Sequence, residues 1–199
     1  GVVMPLVSKY AVRLDQFAIW SKAFTPDECD QIKFLENLQS FEQGSMGTDG
    51  HKDNNYRDSD VMWIREDNNS SWLFQKFTGM VSRVNYDHFM YNIEGYDAFQ
   101  YTVYDASRKQ HYDWHTDSHF EYMEKERKIS AVVMLTGPDE YEGGELEVIH
   151  RGNPNDPYRA KPEKGDVIFF ASWMSHKVHP VLSGTRKSLV CWITGPRTF

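Results

Sequence analysis

The segments Phe99–Tyr104 (FQYTVY), Lys128–Thr136 (KISAVVMLT) and Asp166–Ala171 (DVIFFA) decide the fold. Each is short, rich in β-branched and aromatic residues, and bounded by turn residues such as Gly137-Pro138-Asp139. Many short strands at this spacing are typical of a β-sandwich or barrel. Further segments of the same kind are His111–Thr116, Glu145–His150, His176–Val181 and Lys187–Thr194.

The N-terminal half has a different pattern, with two predicted helices. Thr25-Pro26-Asp27-Glu28 predicts a capped helix start, and apolar residues at helical spacing extend that helix to about Phe41. The polar stretch Gly44–Asp60 predicts a long loop, a solvated connection or a lid, and Val61–Ile64 predicts a strand. A second helix is expected from Ser70 or Ser71. Its apolar face would comprise Trp72, Leu73, Phe77, Met80, Val81 and Val84.

These patterns predict a single α+β domain over residues 1–199. Supporting helices are expected in about residues 1–96, and a catalytic β-barrel core in about residues 97–199. The length of 199 residues suffices to bury a core, and the 15% aromatic content disfavours disorder. We see no internal repeat or linker that would divide the chain.

Charge and composition exclude several classes of partner. The net charge of −7 and the scattered basic residues disfavour nucleic-acid binding, and no apolar stretch is long enough to span a membrane. Cys29 and Cys191 lie far apart and form neither a disulfide framework nor a zinc-binding spacing. We therefore expect a cytoplasmic protein.

The stretch Tyr112–Asp117 (YDWHTD) carries the first candidate ligands for a metal. On a strand, His115 and Asp117 point to the same face, and a third ligand must come from elsewhere. His176 and His179 are the candidates. Two histidines and one carboxylate form the facial triad of non-haem Fe(II) oxygenases, which leaves positions open for substrate and oxygen.

A zinc site on a helix is the rival interpretation of the same stretch. His111, His115 and His119 are spaced by four residues, which would align them on one helical face. However, the acid in this stretch does not stand where the general base of a zinc protease stands. The neighbouring aromatic residues also favour a strand.

Arg186 and Ser188 are candidates for binding a carboxylate. They share one face of a strand, and a turn at Ser183-Gly184 would bring Arg186 back towards the metal ligands. A guanidinium makes paired hydrogen bonds to a carboxylate, and a nearby hydroxyl adds a further donor.

Taken in order, these pieces resemble the 2-oxoglutarate and Fe(II)-dependent oxygenases, in particular the prolyl 4-hydroxylase-like branch that includes the PKHD-type hydroxylases. The resemblance covers roughly Phe99 to Gly195. It rests on Tyr104, Tyr112–Asp117, Arg127–Ser130, Tyr141–Leu146, Lys164-Gly165-Asp166, His176–Val181 and Gly184–Ser188.

The resemblance implies a double-stranded β-helix, a jelly-roll or cupin-like barrel with the metal inside one end. It makes His115, Asp117 and His176 the iron ligands and prefers His176 to His179. It implies that Arg186, with Ser188 and Tyr104, binds the distal carboxylate of 2-oxoglutarate. The Tyr104 assignment departs from the family pattern, because the following loop is longer and lacks a glycine. Substrate-pocket candidates are Tyr112, Trp114 and Trp192.

The resemblance also implies an activity. The expected enzyme is a dioxygenase that uses Fe(II), 2-oxoglutarate and O₂, with ascorbate as a supporting reductant, to hydroxylate an unactivated C–H bond. No catalytic residue beyond the metal ligands is expected. The first expectation for the substrate is a prolyl residue in a peptide or protein, as for procollagen-proline 4-dioxygenases. Alternatives are a free amino acid or other small molecule, and a non-catalytic cupin-like protein that binds a metal or a peptide. The roles of His111, His119 and His179 stay open.

Overall fold

Two helices in the N-terminal half form one side of the fold. The computed structural model describes residues 16–45, 52–118, 125–150 and 152–197. Helix α1 spans Pro26–Phe34 and helix α2 spans Ser71–Val84; a 3-10 turn, Leu35–Asn37, follows α1, and a π-helical turn, Asn85–Phe89, follows α2. No helix in these ranges is long and apolar enough to cross a membrane.

Helix α1 begins as predicted and ends early. The Thr25 side chain accepts a hydrogen bond from the Glu28 backbone N–H, and the Glu28 carboxylate accepts one from the Thr25 N–H. The prediction that the helix continues to about Phe41 is wrong. Phe34 and Leu38 are 61% and 51% exposed, so the apolar face that packs on the core does not continue beyond Leu35.

Helix α2 confirms its prediction and packs on the barrel. Its N-cap is Ser70, and five of the six predicted apolar residues are buried, with Trp72 half-buried. The Phe77 ring lies 5.3 Å from the Phe99 ring and 6.3 Å from the Phe169 ring, measured between centroids. The helix therefore covers the outer face of the larger sheet.

Thirteen strands in the described residues form two antiparallel sheets. The larger sheet has the order β1-β11-β7-β13-β5-β4-β2, with β8 paired to β13, and the smaller has the order β10-β9-β12-β6-β3. In chain order the strands are β1 Phe17–Trp20, β2 Glu42–Gln43, β3 Arg57–Asp58, β4 Asp60–Ile64, β5 Gly95–Asp105, β6 His111–His115, β7 Lys125–Met134, β8 Tyr141–Gly143, β9 Leu146–Val148, β10 Tyr158–Ala160, β11 Val167–Ala171, β12 His176–Val178 and β13 Val181–Pro196. This is a jelly-roll, double-stranded β-helix core with supporting helices, so the predicted α+β fold class is confirmed.

The structure corrects two sequence expectations about loops and turns. The stretch Gly44–Asp60, predicted as a loop, contains β3 and the start of β4, while residues 46–51 lie outside the described part. The turn expected at Ser183-Gly184 is not a hairpin, because both residues lie inside the continuous strand β13. Gly184 has a φ of +71°, and a Cβ atom there would lie 2.2 Å from the Glu140 carbonyl oxygen. A glycine is therefore needed at this position, where β8 and β13 approach each other closely.

Candidate metal centre and cavity

Three of the predicted ligands come together at one end of the barrel. His115 ends β6 and His176 begins β12, and the two residues are directly paired between these strands. Asp117 follows β6, where its backbone N–H donates to the Ser172 carbonyl at 2.9 Å. One ligand atom from each of the three side chains lies within 4.8 Å of the others. Strand pairing and one backbone hydrogen bond thus create the cluster.

The backbone fixes the tautomer of both histidines. His115 Nδ1 lies 2.7 Å from the Asp113 carbonyl oxygen, and His176 Nδ1 lies 3.0 Å from the Met174 carbonyl oxygen. A carbonyl only accepts hydrogen bonds, so each Nδ1 carries a proton, and in its neutral form each ring has a lone pair on Nε2 that can bind a metal. The proton-bearing nitrogen of a metal-binding histidine is commonly held in this way.

The two Nε2 atoms face the same carboxylate. His115 Nε2 lies 3.6 Å from Asp117 Oδ1, and His176 Nε2 lies 3.4 Å from Asp117 Oδ2. Lone pairs that face carboxylate oxygens repel each other unless a cation lies between them. The donor set therefore fits a divalent metal such as Fe(II), with three octahedral positions left open.

Burial and charge support this arrangement. Burial, together with the neighbouring His176, lowers the pKa of His115 to about 3, so its ring is neutral at physiological pH. Burial alone would raise the pKa of Asp117, but the two histidines and the Ser130 hydroxyl lower it below its ordinary value. Ser130 Oγ donates to Asp117 Oδ2 at 2.7 Å, and Ser130 and Ser172 hydroxyls lie 2.9 Å apart. The carboxylate is thus ionised and oriented.

A second polar group, around Arg186, lines the same cavity. Arg186 is 1% exposed, and its Nη1 donates to Ser188 Oγ at 3.3 Å. Its guanidinium carbon lies 5.5 Å from the Tyr104 ring centroid. Arg186 Nε and the Tyr141 hydroxyl are buried and have no hydrogen-bond partner among the described residues. A carboxylate end of a ligand would supply the missing acceptors.

One cavity of about 170 Å³ connects the metal ligands with Arg186. Most of the residues predicted from the sequence line it. They are His115, Asp117, His176, Arg186, Ser188, Tyr104, Tyr112 and Trp192. The Tyr112 ring stacks on the His115 ring, with centroids 3.5 Å apart, and so forms the wall beside the metal ligands.

Trp114 is a predicted pocket residue that does not line this cavity. Three residue steps in β6, from Tyr112 to His115, lie opposite two steps in β12, from Val178 to His176. This bulge lets Tyr112 and His115 face the cavity together. Trp114 instead lies beneath Lys177, whose Nζ is 4.7 Å from the indole centroid.

The other histidines are engaged elsewhere. His111 contacts the carbonyls of Lys109 and Asn55, and His179 Nε2 lies 2.5 Å from Glu147 Oε2. His179 is absent from the described ligand cluster, so the pairing of His176 with β6 separates the two candidate histidines. His119 lies outside the described residues.

Arg57, Trp63 and Gln100 are among the cavity residues that the sequence did not predict. Arg57 lies on a two-residue strand within a polar stretch, where no local pattern marks it. Gln100 occupies an inward-facing position of β5, on the same face as Thr102 and Tyr104. The period-two pattern of that strand was the available signal.

Comparison with known proteins gives matches that cover the barrel residues. Residues 99–194 match the profile of the 2OG-Fe(II) oxygenase superfamily. A PKHD-type hydroxylase of Synechococcus sp. (strain CC9605) is 36% identical over 88 residues, which is 44% of this chain and 38% of that protein. The matched stretch thus spans well under half of that relative.

Two solved structures share the fold. A prolyl-4-hydroxylase of Pseudomonas putida superposes with a TM-score of 0.69 at 17% identity, covering 91% of this chain and 93% of that chain. A Trichoplax adhaerens prolyl hydroxylase, in complex with a hypoxia inducible factor peptide fragment, gives a TM-score of 0.73 at 20% identity, covering 90% and 83%. At these identities the likeness establishes the fold.

Proposed function

We propose that the protein, whose residues 99–194 match the profile of the 2OG-Fe(II) oxygenase superfamily, is a 2-oxoglutarate-dependent dioxygenase that hydroxylates an unactivated C–H bond. The observation that carries the proposal is one cavity lined by both the His115, Asp117 and His176 cluster and the buried Arg186. A purely structural metal site is closed by protein ligands and needs no buried cation for a carboxylate.

The chain's own residues would divide the work between them. His115, Asp117 and His176 hold Fe(II), while Arg186 and Ser188 donate to the distal carboxylate of 2-oxoglutarate beside Tyr104. Iron, O₂ and 2-oxoglutarate supply the oxidation when bound: O₂ gives one oxygen atom to the substrate and one to succinate, with release of CO₂. The protein orients these groups and excludes water. No side chain beyond the ligands has to accept a proton.

We further propose that residues 1–199 act as one domain, with the helical half supporting the barrel. As substrate we propose first a prolyl residue in a peptide or protein. This proposal is supported by the two prolyl hydroxylase structures of the same fold and by the PKHD-type relative. A screen of prolyl peptides and free amino acids, which measures succinate formation, tests it. Turnover with free amino acids alone contradicts the prolyl-peptide substrate.

The test of the activity class is anaerobic absorption spectroscopy. Fe(II) and then 2-oxoglutarate are added to the protein, and a weak visible charge-transfer band that needs both is expected. Arg186→Gln should raise the half-saturating 2-oxoglutarate concentration at least about tenfold, because an ionic hydrogen-bond partner is lost. The control is Arg83→Gln, since Arg83 is an exposed residue of α2 paired with Asp87. A folded, metal-loaded protein without the band contradicts the proposal.

A further inference from the structure

Arg57 is a second buried cation in the cavity. It is 8% exposed, and its three hydrogen bonds to described residues all go to uncharged acceptors. Nε donates to Ser59 Oγ at 3.0 Å, Nη1 to the Ser45 carbonyl at 2.5 Å and Nη2 to Gln100 Oε1 at 3.2 Å. A guanidinium has five N–H donors, so two remain after these three bonds.

The charge of Arg57 lacks a counter-ion in the described part of the chain. No carboxylate there lies within 4.0 Å of it, whereas the neighbouring cavity cation Arg127 is paired with Asp97. The Arg57 guanidinium lies 4.5 Å from the Tyr112 ring centroid, on the wall that leads to His115. A buried charge is costly unless it is paired, and a metal cation close by would increase the cost. An anionic ligand group would offset it.

Gly44 leaves room for the Arg57 guanidinium. A Cβ atom at Gly44 would lie 2.7 Å from Arg57 Nε and 2.4 Å from Ser59 Oγ. The Gly44 N–H donates to the Ser59 carbonyl at 2.7 Å, which holds this segment against the arginine. The absence of a side chain at position 44 therefore allows Arg57 to be buried at this wall.

Arg57 and Arg186 serve different parts of the cavity. Arg186 pairs with Tyr104 between β13 and β5, and Arg57 binds Gln100, four residues from Tyr104 on the same strand face. Arg186 donates to Ser188 and Met134, whereas Arg57 donates to Ser59 and Gln100, so the two guanidinium groups share no hydrogen-bond partner. One diacid bound by Arg186 therefore leaves the free donors of Arg57 for another anion. Gln100 is paired with Trp63 of β4, whose indole lines the cavity.

We propose that Arg57 binds a carboxylate of the substrate, so that the enzyme prefers an acidic substrate to its neutral amide. The inference rests on the proposed function, which assigns Arg186 to 2-oxoglutarate. The carboxylate comes either from a free amino acid or from an acidic side chain of a peptide. Both sources offer the same planar pair of oxygens that a guanidinium binds through two parallel hydrogen bonds.

The test measures binding to protein saturated with Fe(II) and 2-oxoglutarate under anaerobic conditions. Isothermal titration calorimetry compares L-proline with L-prolinamide, and acetyl-Pro-Asp-amide with acetyl-Pro-Asn-amide. We expect the carboxylate member of one pair to bind at least about tenfold more tightly than its amide. The pair that shows the preference identifies the source of the carboxylate.

Substitutions of Arg57 test whether the preference for acid over amide depends on this residue. Arg57→Gln should leave a preference for acid over amide of less than about twofold. Arg57→Lys keeps the charge but not the planar fork, so it should lower the wild-type preference by a factor of at least about three. Arg83→Gln should leave it unchanged. The 2-oxoglutarate band of each variant reports whether the metal site is intact. If Arg57→Gln does not fold, the lysine variant decides.

Two results would overturn the subsite. One is equal binding of acid and amide in both pairs, or no binding of either, by the wild-type protein. The other is a preference that survives both Arg57 substitutions. An intact 2-oxoglutarate band together with either result contradicts the subsite alone. A missing band together with an Arg57-dependent preference contradicts the proposed activity and leaves the subsite standing.

Discussion

His115 and His176 are oriented by the same local device, a hydrogen bond from Nδ1 to the carbonyl two residues earlier in the chain. Each ring is thereby tied to its own strand segment, and each Nε2 is directed at Asp117. The ligand geometry is thus set by backbone conformation before any metal binds. This preorganisation reduces the rearrangement that metal binding requires.

A pair of substitutions separates the two histidines of the His176–His179 segment. His176→Ala should lower Fe(II) affinity at least about a hundredfold, because one of three protein ligands is lost. His179→Ala should change it less than about threefold, because its imidazole contacts Glu147 instead. Anaerobic titration with Fe(II) measures both. A larger loss for His179→Ala would exchange the two assignments.

Single residues differ in how well the sequence predicts their place. His115 and Asp117 were predicted to lie together from their spacing. Arg186 was placed near them by the family resemblance and by a hairpin at Ser183-Gly184 that does not form. Trp114 was misplaced because a bulge in β6 changes which residues share a face. Arg57 escaped prediction because its burial depends on Gly44 and Gln100, which are distant contacts that no local pattern reports.

At the scale of elements, helix α1 is fixed to its neighbours through Glu28. The Glu28 carboxylate accepts from the Thr25 N–H at 2.8 Å and from Lys76 of α2 at 2.6 Å. Burial raises the pKa of Glu28, but the hydrogen bonds from Lys76 and Thr25 outweigh it and leave the pKa below its ordinary value of 4.5. One side chain thus caps α1 and joins it to α2.

The lowered pKa of Glu28 predicts a pH-dependent contribution to stability. A carboxyl group with a lowered folded-state pKa stabilises the protein above its unfolded pKa and loses that effect as the pH falls through the folded value. Glu28→Gln keeps the cap and removes the charge, so it should cost about 0.5 kcal/mol at pH 7. The difference from wild type should begin to shrink as the pH falls below about 4.5, and it should vanish only below the lowered folded-state pKa. Thermal unfolding against pH measures it, with Asp27→Asn as the control.

Helices and strands whose own residues show a periodic or compositional pattern were predicted well, and those without such a pattern were missed. The apolar face of α2 and the strands β7 and β11 follow from periodicity and composition alone. The two-residue strands β2 and β3 exist only because longer neighbours pair with them, as Glu42 pairs with Val61 and Arg57 with Tyr112. Pairing between distant segments leaves no periodic pattern in either partner.

At the scale of the whole molecule, the helical half is joined to the barrel near Gly165. The Phe24 N–H donates to the Gly165 carbonyl at 3.0 Å, and the Lys22 N–H donates to Asp166 Oδ1 at 2.8 Å. Gly165 has a φ of +91°, and a Cβ atom there would lie 2.1 Å from the Phe24 carbonyl oxygen. A glycine is required for this approach.

Gly165→Ala should therefore destabilise the whole fold. A strained backbone and the contact with Phe24 should lower the free energy of unfolding by at least about 2 kcal/mol, or Tm by about 4–8 °C. Gly79→Ala is the matched control, because Gly79 is exposed in α2 with no atom within 4 Å of its added Cβ. That control should gain about 0.5–1 kcal/mol. Equal Tm values for the two variants would contradict the prediction.

Strand β13 lies between β5 and β7 in the larger sheet, and its inward residues Arg186, Ser188, Val190 and Trp192 line the cavity in order. Successive inward residues are about 6.6 Å apart, and the backbone rather than the side chains sets this distance. A replacement at position 190 therefore reshapes the middle of the chamber without moving either end. New ligand preferences can evolve through single replacements on this strand while His115, Asp117 and His176, which lie on other segments, stay unchanged.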